Sequence, residues 1–129
     1  MEIRHPYHKE PQQPKPLTGR YAKLRDDIIT ALAIGRAAEA QELQRNGDGG
    51  TCNFDSPALI LPRWNAAKIQ QAAKEAGTSA YKWTLYGSVR WIIEPDSRCQ
   101  AEPRSVGAEA MRDVFAALGY DASMYYQAD

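Results

Sequence analysis

Histidine and cysteine are scarce in this chain of 129 residues: there are two of each, and both histidines, His5 and His8, fall within the first eight positions. That scarcity excludes chemistry before any motif is sought. A tetrahedral zinc site needs four ligands at short, regular spacing, and Cys52 and Cys99 are too far apart to form a C-x-x-C pair. A Cys–His or Ser–His catalytic pair would have to borrow its base from the N-terminal segment. No apolar run approaches the roughly 20 residues of a membrane-spanning helix, and the first residues carry no apolar stretch of signal-peptide type. The cysteines are therefore expected to be reduced thiols in a cytoplasmic protein, although their separation also permits a disulfide. Surplus charge is absent as well. Sixteen Lys and Arg balance 16 Asp and Glu, so no net field draws the protein to nucleic acid or to an anionic membrane.

What is present suits one domain with a core of its own: 43% apolar and 25% charged residues over a length that needs no covalent staple. Residues 1–16, "MEIRHPYHKEPQQPKP", hold four of the eight prolines and little that could enter a core, so they are expected to form a Pro-rich flexible arm. His5 and His8 sit in that arm, a poor setting for a metal. The single domain is expected over 17–129.

From Leu17 the apolar residues Tyr21, Leu24, Ile28, Ala31, Gly35 and Ala38 recur at spacings of three and four, the period of an amphipathic helix. The helix is expected over 17–45, with a bend or break near Gly35, and Gly47, Gly49 and Gly50 stop it. "FDSPALILP" reads as a strand and "RWNAAKIQQAAKEAG" as a helix with Gly77 as its C-cap. "SAYKWTLYGSVRWII" reads as a hairpin, "SRCQAEPRS" as a loop, "VGAEAMRDVFAALG" as a helix and "ASMYYQ" as a last strand.

Over 51–129 the element order is strand, helix, strand, strand, helix, strand. It resembles the ferredoxin-like, split β-α-β arrangement, in which two helices cover one face of a four-stranded antiparallel sheet. The expected class is thus α+β: a long N-terminal helix followed by a ferredoxin-like βαββαβ two-layer sandwich. A hairpin loop of odd length, Tyr86-Gly87-Ser88, would put Tyr81, Trp83, Leu85, Val89, Trp91 and Ile93 together on the core face. Lys82, Thr84, Arg90 and Ile92 would then face away. The long helix, a second copy of the chain or a ligand could cover that second face.

Candidate sites follow from residue chemistry. "RNGDGGTCNFD" offers Asn46, Asp48 and Asp55 at calcium-loop spacing with Gly49 at the turn, but Gln44 replaces the first acidic ligand and a strand replaces the second helix. "GDGGT" lacks the lysine and the helix of a phosphate loop. The plain reading of this stretch is a helix stop and connector with Asx turns. The carboxylate neighbours Asp26–Asp27 and Glu94–Asp96 do not face one another, and no catalytic set emerges. No cofactor is expected.

The RNA-recognition motif shares the same element order. Its third-strand signature is not met by "SVRWIIEP", whose Trp91 is expected to turn toward the core. Adjacent Tyr125 and Tyr126 must point to opposite faces, so one of them meets the open face or solvent. The expected function is a non-enzymatic binding or assembly protein acting through protein–protein contact. Its surface would be Lys82, Thr84, Arg90, Ile92, Tyr125 and Tyr126, together with the arm. The alternatives are a single-stranded nucleic-acid-binding module using the same face, and a small-ligand sensor with a pocket where the long helix meets the sheet.

Overall fold

The computed structural model describes residues 14–47, 50, 53–97 and 101–126. The elements run α1 (Gly19–Asn46), β1 (Ser56–Ile60), α2 (Ala66–Glu75), β2 (Ala80–Leu85), β3 (Ser88–Ile93), α3 (Glu102–Ala117) and β4 (Asp121–Tyr125). The class is mixed α+β. The four strands form one open antiparallel sheet in the order β2-β3-β1-β4. The expected arm lies almost wholly outside the described residues, as do Asp48, Cys52 and Cys99. No described helix is long and apolar enough to cross a membrane.

Glycine ends all three helices; at α1 it is Gly47, whose N–H donates to the Leu43 carbonyl at 2.9 Å. Gly77 and Gly119 take φ of 96° and 97° just past α2 and α3. Thr78 N–H and Tyr120 N–H then return to the carbonyls of Ala73 and Phe115, at 2.9 and 3.0 Å. These bonds satisfy carbonyls that a helix end leaves unpaired. α3 begins earlier than its apolar period suggested: Glu102–Ser105, expected in a loop, form its first turn, with Pro103 where its missing N–H costs nothing.

α1 is not broken at Gly35. It runs unbroken for 28 residues, about 42 Å. Gly35 serves packing instead. A Cβ there would lie 2.7 Å from Met111 Cγ and 3.1 Å from the Gly107 carbonyl oxygen. A Cβ on Gly107 would lie 2.9 Å from the Gly35 carbonyl oxygen. The two glycines let α1 and α3 cross backbone against backbone. α1 packs against both α2 and α3, which meet each other marginally at most. Leu24, Ile28, Ala31 and Leu32 of α1 join Ile69, Ala72, Ala73, Met111 and Phe115 over Leu59, Trp91 and Ile93 of the sheet. All three helices therefore lie on one side, and the long helix does not cover the other.

The hairpin register differs from expectation. Leu85 pairs with Ser88, Trp83 with Arg90, Lys82 with Trp91 and Tyr81 with Ile92, so the loop is the two residues Tyr86-Gly87. Both have positive φ, 49° and 79°, as a type I′ turn requires. Val89, Trp91 and Ile93 stay toward the helices with Lys82 and Thr84, while Tyr81 and Trp83 turn to the open face with Arg90 and Ile92. The expectation failed because it assumed that only one face buries apolar residues. Ile92 and Ala58 on the open face are 0% exposed, like Ile93 and Leu59 on the other.

Candidate functional site

The open sheet face is built from short rows. In β1 the alternation that sends Pro57 and Leu59 toward the helices leaves Ser56, Ala58 and Ile60 outward. Register aligns Tyr81, Ile92, Ala58 and Ser123 in one row across the sheet, and Trp83, Arg90, Ile60 and Asp121 in the next. Small residues on the central strand leave room for large ones from the edges. The rings of Trp83 and Tyr125, which come from opposite edge strands, meet with centroids 5.1 Å apart at 59°. Arg90 reaches across β1 to donate from Nη1 to Ser123 Oγ at 3.2 Å. Its Nε is buried with no acceptor among the described residues. Ser56, Ala58 and Ile92 are thus buried without a helix above them.

Tyr81 and Trp83 each keep 38% of their surface exposed, enough to present a ring to a partner. Burial, followed by the neighbouring Glu94 carboxylate, pushes the Tyr81 hydroxyl up to about 12. Glu94 in turn meets a buried polar knot at one end of the face. Arg104 donates to Glu94 Oε2 at 3.5 Å, to Ser56 Oγ at 3.3 Å and to the Asp55 carbonyl at 3.2 Å. Ser105 Oγ donates to Asp55 Oδ2 at 2.7 Å. These bonds tie the start of α3 to the start of β1.

The residues expected to form the surface are divided by the structure. Arg90, Ile92 and Tyr125 lie on the open face, with Ile92 beneath the others. Lys82 and Thr84 are on the helix side of edge strand β2, because the two-residue turn shifts the register by one. Lys82 Nζ sits 5.7 Å from the centroid of the Trp91 ring. Tyr126 also points to the helix side, where its hydroxyl donates to Glu109 Oε1 at 3.2 Å. Sequence reasoning missed Tyr81 and Trp83 as surface groups by assigning them to the core. The one available signal was the Tyr-Gly dipeptide, whose glycine suits the second position of a two-residue turn.

The remaining candidates have structural roles. Asp27 accepts from Lys23 Nζ and from the Tyr120 hydroxyl, both at 2.6 Å. Asp26 pairs with Arg25 at 3.0 Å, and Asp96 with Arg36 at 3.0 Å. Of the calcium-loop candidates, Asn46 donates to Glu42 Oε1 at 2.7 Å and Asp55 is engaged by Ser105, while Asp48 lies outside the described residues. Among the described residues no three His, Cys, Asp or Glu side chains converge as a metal site.

A cleft of about 400 Å³ opens on the helix side, where the β1–α2 turn meets the hairpin. Leu61, Arg63, Trp64, Lys82, Val89 and Trp91 line it. Comparison of the chain with family models, with curated proteins and with solved structures gives no match.

Proposed function

We propose that this is a non-enzymatic binding and assembly protein whose open sheet face makes protein–protein contact, and that a second copy of the chain is the partner it engages. One observation carries the reading: Tyr81, Trp83, Tyr125 and Arg90 gather on the sheet face that no described helix covers. These residue types dominate binding energy at protein interfaces. One row of the face holds a cation and an anion, Arg90 and Asp121, with Ile60 between them. Neither makes an ion pair among the described residues. A two-fold axis along β1 would set Arg90 of one copy over Asp121 of the other, the self-complementary pattern of an isologous contact.

Size sets the strength. Four strands at about 4.8 Å and five residues at about 3.3 Å give a face of roughly 19 by 17 Å. That is well under half of the roughly 800 Å² per partner of a stable interface, so the association is weak and concentration-dependent. Sedimentation velocity over a rising concentration series tests it. A sedimentation coefficient that climbs with concentration, and stays flat for Trp83→Ala, is the expected result; a flat wild type refutes self-association.

The order β2-β3-β1-β4 with antiparallel neighbours supports reading the unit from β1 to β4 as a ferredoxin-like arrangement. The cytoplasmic location belongs to the same proposal, supported by the low cysteine content. The outward turn of Trp83, Tyr81 and Tyr125 favours one second reading, single-stranded nucleic acid stacked on these rings. Titration with an oligonucleotide at several salt concentrations separates the two, because only nucleic-acid binding falls steeply with salt.

A further inference from the structure

The cleft on the helix side borders the open face only at Ile60 and Ser88, and its chemistry is specific. Its walls are aromatic and aliphatic: Trp64, Trp91, Leu61 and Val89. Its two charged lining residues, Arg63 and Lys82, are both cations, and no acidic side chain lines it. Neither cation has an acidic partner among the described residues; Lys82 Nζ rests only near the Trp91 ring. A volume of about 400 Å³ lies within the usual range for small-molecule sites.

The site is also held in advance. Arg20 of α1 stacks over the Trp64 ring at 4.4 Å, and Tyr21 packs against it nearly perpendicularly with centroids 5.2 Å apart. Arg20 Nη2 donates to the Arg63 carbonyl at 3.0 Å, and the Tyr21 hydroxyl accepts from Asn65 N–H at 2.8 Å. Trp64 N–H closes the turn onto the Leu61 carbonyl at 3.3 Å. Arg63 occupies that turn at φ 64°, a conformation that favours glycine. A β-carbon strains that backbone, and such local strain clusters at ligand sites. The chain keeps a long cation where glycine would be easier.

We propose that this cleft binds a small planar aromatic or heteroaromatic molecule carrying one anionic group, its ring against Trp64 over the buried floor that Trp91 forms and its anion met by Arg63 and Lys82. The walls fix the planar part and the two cations select the charge. The site belongs to the helix side of the sheet, so its failure would leave the proposal for the open face untouched.

The probe is naphthalene-2-carboxylate, compared with neutral 2-naphthalenemethanol, read by the three tryptophan indole N–H resonances of the full chain. Saturable shifts at Trp64 and Trp91, with Trp83 unmoved, are expected for the carboxylate. The neutral analogue should bind roughly tenfold more weakly, because it forgoes a charge-assisted bond. Arg63→Gly keeps the turn and the carbonyl that Arg20 holds, and Lys82→Met keeps the stem over Trp91, so both variants should fold. Each should weaken the carboxylate by roughly tenfold and leave the neutral analogue unchanged. Absence of saturable shifts at Trp64 and Trp91, equal affinity for the two probes, or unaltered binding by both variants would each overturn the proposal.

Discussion

Alanine in place of Gly107 is the sharpest perturbation of the packing. In an ordinary helix interior, Gly→Ala stabilises by roughly 1 kcal/mol because it restricts the unfolded chain and suits the helix. Here the new Cβ would sit 2.9 Å from the Gly35 carbonyl oxygen and 3.3 Å from Glu39 Cβ. A backbone oxygen cannot rotate away. To restore ordinary contact α1 and α3 must separate by roughly 0.5 Å, enough to forfeit about a quarter of each dispersion contact along the crossing. Overpacking of this kind costs about 1–3 kcal/mol and outweighs the propensity gain. The net loss, up to about 2 kcal/mol, corresponds to a fall of up to roughly 8 °C in Tm for a chain of this size. Gly35→Ala should cost less, since its nearest neighbour is the Met111 side chain, which is flexible. Thermal unfolding followed by circular dichroism decides it. A Tm for Gly107→Ala above that of the wild type would refute the close crossing.

Two further outcomes follow from local chemistry. Tyr86 occupies the first position of the two-residue turn at φ 49° while 98% exposed, so Tyr86→Asn should raise stability by about 0.5–1 kcal/mol without losing burial; no gain in denaturant midpoint would count against the type I′ turn. The second concerns alkali. The hydroxyls of Tyr81 and Tyr120 are raised, chiefly by burial and then by Glu94 and Asp27 respectively, so above pH 10 the unfolded chain releases these protons while the folded chain retains them. Stability should therefore hold below pH 10 and fall as pH rises toward about 12 and beyond. Tyr120→Phe should flatten that fall, measured as denaturant midpoint against pH; an unchanged slope would contradict the assignment.

Much of the architecture was legible because period and punctuation agree. Leu24, Ile28 and Ala31 mark α1, Ile69, Ala72 and Ala73 mark α2, and Gly77 and Gly119 mark the ends of α2 and α3. Less was legible where one residue answers to two partners. Gly35 looked like a helix breaker, because nothing in its own segment reveals Gly107 on the crossing helix. Trp83 looked like core, because its alternation with Lys82 and Thr84 names a face but not which side the helices occupy. Only the pairing with Arg90 settles that, and pairing depends on a turn one residue shorter than assumed. The cleft was least visible: Arg63, Trp64, Lys82 and Trp91 converge from three segments, and the positive φ of Arg63 leaves no trace in composition.

Exchanging the signs of Arg90 and Asp121 probes self-association through the open face alone. In the proposed contact Arg90 of one copy meets Asp121 of the other, so Arg90→Asp alone should abolish concentration-dependent association, and Asp121→Arg alone should do the same. The double exchange should restore it, since both pairs reform with their signs reversed. Sedimentation velocity on the wild type and the three variants reads the answer. Restored association is expected in the double variant; association that survives in both single variants, or is absent from the wild type, would rule out the Arg90–Asp121 contact.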